Sequence, residues 1–110
     1  MDKDEIIEGV NLLLSQVVLE KDSEFKETIF HTIHNAVVFN EVAADISLDI
    51  LLPYCSGLSN ENLSYVLSFL GFSGNEKYLA TLRTYRNSPN KEIQTIAKEA
   101  INELRYRAFR

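Results

Sequence analysis

Residues 92–104 read EIQTIAKEAINEL and form the most regular apolar pattern in the chain. At 100° per residue, the apolar side chains fall within an arc of about 140°, with the charged residues opposite. They are Ile93, Ile96, Ala97, Ala100, Ile101 and Leu104. This spacing is the period of one buried helical face. Ser88-Pro89-Asn90 precedes it as a break and a new N-cap, so the pattern predicts an amphipathic helix.

The same three-four spacing extends upstream and predicts five more helices. The first covers residues 4–20, with Asp2 and Glu5 as a cap pair, and the second runs from the Lys21-Asp22-Ser23 break to about residue 38. The inner stripe of the second helix is predicted to be Phe25, Ile29, Ile33, Ala36 and Val37.

Polar and breaker residues delimit the remaining three helices. Asn40 caps the third, and Pro53 ends it near Leu52. Ser59 or Asn60 opens the fourth, and Gly71 stops it. Ser73 and Glu76 have capping-box spacing for the fifth, whose predicted inner residues are Tyr78, Leu79, Leu82 and Tyr85. Because no segment alternates like a strand, we predict one all-α domain over residues 1–110.

A weak repeat relates three of these helices at an offset of 30 residues. Leu63, Val66, Leu67 and Leu70 align with Ile93, Ile96, Ala97 and Ala100, and one step upstream lie Ile33, Ala36 and Val37. Six helices at this period form three antiparallel helix pairs that stack as an α-solenoid. A compact six-helix bundle is the alternative architecture.

The stretch from residue 63 to 104 resembles short HEAT-type repeats. The similarity lies in Leu70-Gly71-Phe72, in residues 78–82 (YLATL) and in residues 88–94 (SPNKEIQ), which resemble the acidic-Pro-hydrophobic-Arg opening of the family. Asn90 and Gln94 stand where the family often has Asp and Arg. The resemblance implies a stacked architecture and a protein-binding role rather than a reaction.

Charge is distributed unevenly along the 110 residues, whose formal net charge is -5. Residues 1–62 hold twelve acidic and three basic side chains, whereas residues 63–110 hold four acidic and eight basic ones. The single Cys55 argues for a reducing compartment, and neither a signal-peptide pattern nor a long apolar run is present. We therefore expect a cytoplasmic protein without a membrane association.

Few residues suggest catalysis or metal binding. His31 and His34 lie one turn apart, but they lack a third ligand, and the pattern is not that of a zinc-protease helix. Cys55 follows a Pro-Tyr pair, where a buried thiol is more common than a nucleophile. The four glycines are scattered, so there is no phosphate loop. We predict a non-enzyme with no cofactor and no metal.

The predicted third helix carries the strongest local signal for binding. Glu41, Asp45 and Asp49 recur every four residues, and Leu48 and Leu52 project into the same sector. Like charges at this spacing repel by roughly 0.2–0.5 kcal/mol per pair. The sequence thus predicts an acidic ridge with leucines that binds a basic partner, where the acids steer association and the leucines add affinity.

The sequence favours a non-catalytic module that binds another protein. Its size and charge suggest an acidic inhibitor of the immunity type, which neutralises a basic protein such as a nuclease toxin. A HEAT-like adaptor or scaffold subunit is one alternative. Nucleic-acid binding through Arg83, Arg86 and the arginines and aromatics of residues 105–110 is another, against which the pI near 5.0 argues. Head-to-tail association of copies would pair the acidic and basic halves.

Overall fold

The computed structural model describes residues 2–109, and five α-helices make up most of them. They are α1 (Lys3–Val17), α2 (Ser23–Asn40), α3 (Asn60–Ser73), α4 (Leu79–Arg86) and α5 (Lys91–Ala108). A 3-10 helix over Asp49–Gly57 is a sixth segment, and short 3-10 turns cover Ala43–Asp45 and Glu76–Tyr78. The all-α prediction is confirmed, since residues 2–109 contain no strand.

Side-chain caps begin four of the α-helices at predicted positions. Each cap accepts a hydrogen bond from a backbone N–H in the first turn, and these residues are Asp2, Asp22, Ser59 and Asn90. The predicted cap of the fifth helix is wrong. Asn75 accepts the bond from the Lys77 N–H, and the Ser73 hydroxyl donates to the Leu70 carbonyl instead.

The predicted third helix is also wrong, because residues 40–52 do not form one α-helix. Asn40 is the last residue of α2 rather than an N-cap, Glu41 is left-handed with φ 50°, and Ile46 is extended. The reason is burial. Val42, Ala43, Ile46, Leu48 and Leu51 are all buried, and on a regular helix they would spread over about 240°. The chain can bury all five side chains in one core only if it departs from a single regular helix.

Gly71 does not stop α3, which continues to Ser73 and ends at the left-handed Gly74. Gly71 instead lies where α3 approaches α5. A Cβ at this position would lie 2.9 Å from the Ala100 carbonyl oxygen. Glycine therefore permits close contact between the two helices.

Three helices lie side by side and run parallel, with α3 between α2 and α5. Asn62 at the start of α3 donates to the carbonyl of Ser23 at the start of α2, at 3.3 Å. Gly74, which follows α3, lies against Arg107 near the end of α5. Because α1 and α4 reach their neighbours α2 and α5 through short connections, they run antiparallel to them.

The helices form a slab with extents of 39 × 38 × 20 Å, about two helix diameters thick. The helix α3 alone contributes eight buried residues to the core. Phe25, predicted to lie on the inner stripe of α2, is 63% exposed. This part of the prediction is wrong, because Phe25 lies about 80–140° around α2 from its buried residues Phe30, Ile33 and Val37.

The close contact between α3 and α5 gives a stability prediction with a matched control. We expect Gly71→Ala to destabilise the fold by about 1–3 kcal/mol, because the new methyl group meets backbone atoms of Ala100. Gly9→Ala, where a Cβ meets nothing within 4 Å, should stabilise α1 by about 0.5–1 kcal/mol. Urea unfolding measures both, and equal effects would contradict the role of Gly71.

Candidate protein-binding site

The residues of the predicted acidic ridge do not share one helix face. Leu48 is fully buried in the core, and Leu52 is half-buried against it. Glu41 is exposed at the left-handed end of α2, away from the 3-10 helix that holds Leu52. In this conformation Leu48 cannot touch a partner, so the ridge is not the continuous surface that the sequence predicted.

The two aspartates of the predicted ridge have ion-pair partners within the chain. The Lys3 Nζ lies 3.0 Å from the Asp45 Oδ2, and the Lys77 Nζ lies 3.1 Å from the Asp49 Oδ1. Both pairs are largely exposed, so each contributes little to stability. They nevertheless leave these carboxylates less free to attract a partner than the sequence suggested.

Asp49 also belongs to a polar network that connects residue 48 to Tyr78, in the 3-10 turn that precedes α4. The Tyr78 hydroxyl donates to the Asp49 Oδ1 at 2.8 Å and accepts from the Leu48 N–H at 2.9 Å. The hydrogen bonds from Tyr78 and Lys77 lower the pKa of Asp49. Burial raises the pKa of Tyr78, and its bond to Asp49 adds to the shift. The network is therefore a structural connection between distant segments.

Unpaired acidic side chains concentrate on α1 and α2. We define the acidic surface as Asp4, Glu5, Glu8, Glu24 and Glu27, all of which are exposed. Within residues 2–109, the ion pairs are Lys3–Asp45, Lys77–Asp49 and Arg107–Glu103, and none includes a residue of this surface. These five carboxylates thus face solvent without a salt-bridge partner among the described residues.

An apolar groove of about 740 Å³ runs between α1 and α2. Its lining residues are Glu5, Ile6, Gly9, Val10, Leu12 and Leu13 from α1 and Thr32, Ala36 and Asn40 from α2. Gly9 leaves the wall open, since a Cβ there would meet nothing within 4 Å. The groove is therefore an uncovered apolar surface bordered by a carboxylate of the acidic surface.

Large apolar side chains stand exposed beside this groove. Leu12 lines it and is 59% exposed, while Phe39 on α2 is 82% exposed. At 100° per residue, Phe25 and Phe39 lie within about 20° of Thr32, which lines the groove. Exposed apolar residues in one patch mark interaction sites more often than scattered ones do.

His31 and His34 face an aromatic cluster of α2 and α3. The His31 Nδ1 lies 3.3 Å from the Tyr65 hydroxyl, and the His34 ring lies 5.8 Å from the Tyr65 ring and 6.3 Å from that of Phe72. Within residues 2–109, no group of three or more His, Cys, Asp or Glu side chains is placed to hold a metal ion.

Cys55 lies in the 3-10 helix Asp49–Gly57, and its side chain is buried in the hydrophobic core. Burial raises the pKa of its thiol to about 11, so almost none of it is thiolate at neutral pH. Its sulfur lies 3.5 Å from the Leu51 carbonyl oxygen. A nucleophile needs the thiolate form and access to solvent, and Cys55 has neither.

The four described arginines of the C-terminal half separate into two groups, and Arg110 lies outside the described residues. Arg83 and Arg86 lie in the last turn of α4, which leads into the start of α5, whereas Arg105 and Arg107 lie in the last turn of α5. Along α5 these two ends are about 20 Å apart. Arg107 is also paired with Glu103 and lies over the Phe72 ring. The arginines therefore do not form one basic patch.

Comparison with protein-family models, with curated proteins and with solved structures found no match to this chain. Across residues 2–109, no helix combines the length and the apolar character needed to cross a membrane. The interpretation of the groove and the acidic surface thus depends on their geometry.

Sequence reasoning assigned the predicted binding residues to a helix that does not form, and it did not predict the groove. The missed signals were Gly9 inside a helix and Leu12 outside the apolar stripe of α1. A glycine within a helix, next to an apolar residue on its polar side, is the pattern that a groove wall leaves in a sequence. Phe39, just past the predicted end of the second helix, was a third signal.

The Tyr78 network gives a stability prediction. Tyr78→Phe should lower the free energy of unfolding by about 1–3 kcal/mol, because the buried Leu48 N–H loses its acceptor. The exposed Tyr106 provides the control, and Tyr106→Phe should leave stability unchanged. Thermal unfolding of both variants measures the difference, and similar melting temperatures would contradict the structural role of the hydroxyl.

The lowered pKa of Asp49 predicts a contribution to stability that depends on pH. The pKa of Asp49 is lower in the folded state than its ordinary value of 3.8, so its ionised carboxylate stabilises the fold at pH values above 3.8. This contribution is lost as the pH falls through the pKa of the folded state. Asp49→Asn should therefore be less stable at neutral pH and lose less stability on acidification. Unfolding by urea between about pH 6 and pH 2 measures it. Glu99→Gln is the control, and an acid dependence of Asp49→Asn that parallels wild type would contradict the prediction.

Proposed function

We propose that this chain is a non-catalytic module that binds a basic protein through the face formed by α1 and α2. One observation carries the proposal: Glu5 and Glu8, two unpaired residues of the acidic surface, border an uncovered apolar groove. Carboxylates without countercharges attract a cationic partner, and exposed apolar side chains add affinity once contact is made. Of the predicted ridge, Asp45 and Asp49 are ion-paired, and Glu41 lies outside this face.

The two surfaces have distinct physical roles in the proposal. Charge acts over roughly 8 Å at physiological ionic strength, so the acidic surface raises the rate of encounter. Desolvation of the groove acts only on contact and slows dissociation. Added salt should therefore weaken binding mainly by lowering the association rate. Substitutions in the groove should weaken it mainly by raising the dissociation rate.

The row of parallel helices supports a HEAT-like stack as the scaffold of this module. In a stack of antiparallel helix pairs, the second helices of successive pairs lie side by side and point the same way, as α2, α3 and α5 do. The 3-10 helix takes the place of a regular first helix in the middle pair. This scaffold is the fold part of the proposal, and the compact bundle is its alternative.

The most specific form of the proposal is an acidic inhibitor of the immunity type that masks a basic toxin, such as a nuclease. Its support is the acidic net charge of the sequence, -5, which suits a basic partner. An adaptor would use the same face within a larger assembly. A one-to-one complex in which the activity of the partner falls supports the inhibitor, and an assembly of several proteins supports the adaptor.

Capture from the lysate of its source tests the proposal with two variants of equal charge. The surface variant replaces Glu5, Glu8, Glu24 and Glu27 with Gln, and the control replaces four exposed glutamates elsewhere. Those of the control are Glu61, Glu76, Glu92 and Glu99. We expect wild type and control to retain a basic protein that elutes with salt, and the surface variant to associate at least about tenfold more slowly.

Two outcomes contradict the proposed function. Capture of no basic protein by wild type removes the partner, and equal loss in both variants shows that only net charge matters. A salt-dependent mobility shift of generic RNA or DNA with the wild type would instead support the nucleic-acid alternative.

A further inference from the structure

The groove between α1 and α2 has the length of a site for a short helix. From Glu5 to Leu13 the α1 wall rises by about 12 Å, which matches a little more than two turns of a bound helix. Aliphatic side chains of α1 line one side, Ala36 is the apolar residue of the α2 side, and Gly9 keeps the middle open. Two-turn helices carry three or four apolar anchors on one face, which is what such a groove can accept.

The lining residues exclude two other common modes of peptide recognition. Addition of a strand requires an exposed sheet edge, and the described part of this chain has no sheet. Grooves for polyproline segments are lined with aromatic rings, whereas none of the groove-lining residues is aromatic. Among these three peptide conformations, the amphipathic helix is the one that the lining fits.

Charge on the groove is confined to one wall. Glu5 lines the α1 side, and Glu8 lies one turn further along α1, next to Leu12. Thr32 and Asn40 on the α2 side are uncharged, and the groove-lining residues include no Lys or Arg. Glu24 and Glu27 of α2 point away from the groove at 100° per residue. A bound helix would thus gain from cationic side chains on the flank that faces α1.

We infer that the groove between α1 and α2 binds an amphipathic helix of the partner, with apolar anchors in the groove and Lys or Arg on the flank beside Glu5 and Glu8. The inference rests on the proposed function, because it assigns to the basic partner the segment that this chain recognises. It also gives the exposed Leu12 a role as a contact at the rim of the groove.

A designed peptide tests the inference without knowledge of the partner. The probe is a 16-residue helical peptide with leucines spaced by three and four residues, lysines on one flank and glutamines elsewhere. One control peptide carries glutamates in place of the lysines, and a second has the same composition with scattered leucines. We expect only the probe to bind, with a stoichiometry of one and amide shifts confined to α1 and α2 in NMR spectra.

Gly9→Leu is the matched variant on the protein side. Its side chain would occupy the open middle of the groove, and it replaces a helical glycine, so the fold should keep or gain stability. Gly57→Leu is the control, because a Cβ at Gly57 also meets nothing within 4 Å and this position is outside the groove. We expect Gly9→Leu to bind the probe at least tenfold more weakly and Gly57→Leu to bind it as wild type does.

Three results would overturn the inference: equal affinity of wild type and Gly9→Leu, equal binding of the glutamate peptide, or equal binding of the scattered peptide. The failure of the proposed function has a different signature. If the captured basic protein binds wild type and Gly9→Leu alike, the groove inference fails and the function stands. If no basic protein is captured while the probe behaves as expected, the function fails and the groove remains a helix-binding site.

Discussion

The contact between Gly71 of α3 and Ala100 of α5 is the constraint on which the arrangement of the helices depends. A side chain at residue 71 would collide with backbone, so the two helices lie closer than ordinary side chains allow. This contact holds α3 in the centre of the row, from which Phe69 and Tyr65 reach the Phe30 ring of α2. By contrast, α1 and α2 bury only three residues each. The proposed binding face therefore lies at the end of the row farthest from the densest packing.

This separation lets the core and the binding face vary independently. The side chains that line the groove are mostly half-buried or exposed, and their removal would leave the contacts of α3 with α5 untouched. The same holds for the acidic surface, whose residues have no ion-pair partner among residues 2–109 that a substitution could disrupt. Repulsion between these carboxylates costs little in water because the charges are solvated and screened. Such a surface lowers the stability of the fold very little, and its attraction for a cationic partner depends on ionic strength.

The sequence predicted the helices wherever one face of a regular helix could bury all nearby apolar residues. The stretch from residue 91 to 108 and the caps at Asp2, Asp22 and Ser59 follow from spacing and local hydrogen bonding alone. Residues 42–51 could not be predicted this way, because their burial depends on α1, α3 and Tyr78, which are distant in sequence. The predicted acidic ridge required one regular helix over these residues, so it does not form either. Exposure of Phe25 likewise depends on which arc of α2 faces the core, and the neighbouring helices decide this.

The thickness of 20 Å beside a width of 39 × 38 Å makes the molecule a plate. Each broad side has a planar area of about 1,500 Å², whereas one partner in an interface of standard size covers about 800 Å². Two proteins approaching from opposite sides would not collide with each other. Either broad side is therefore large enough for an interface of standard size, whereas the thin edge is not.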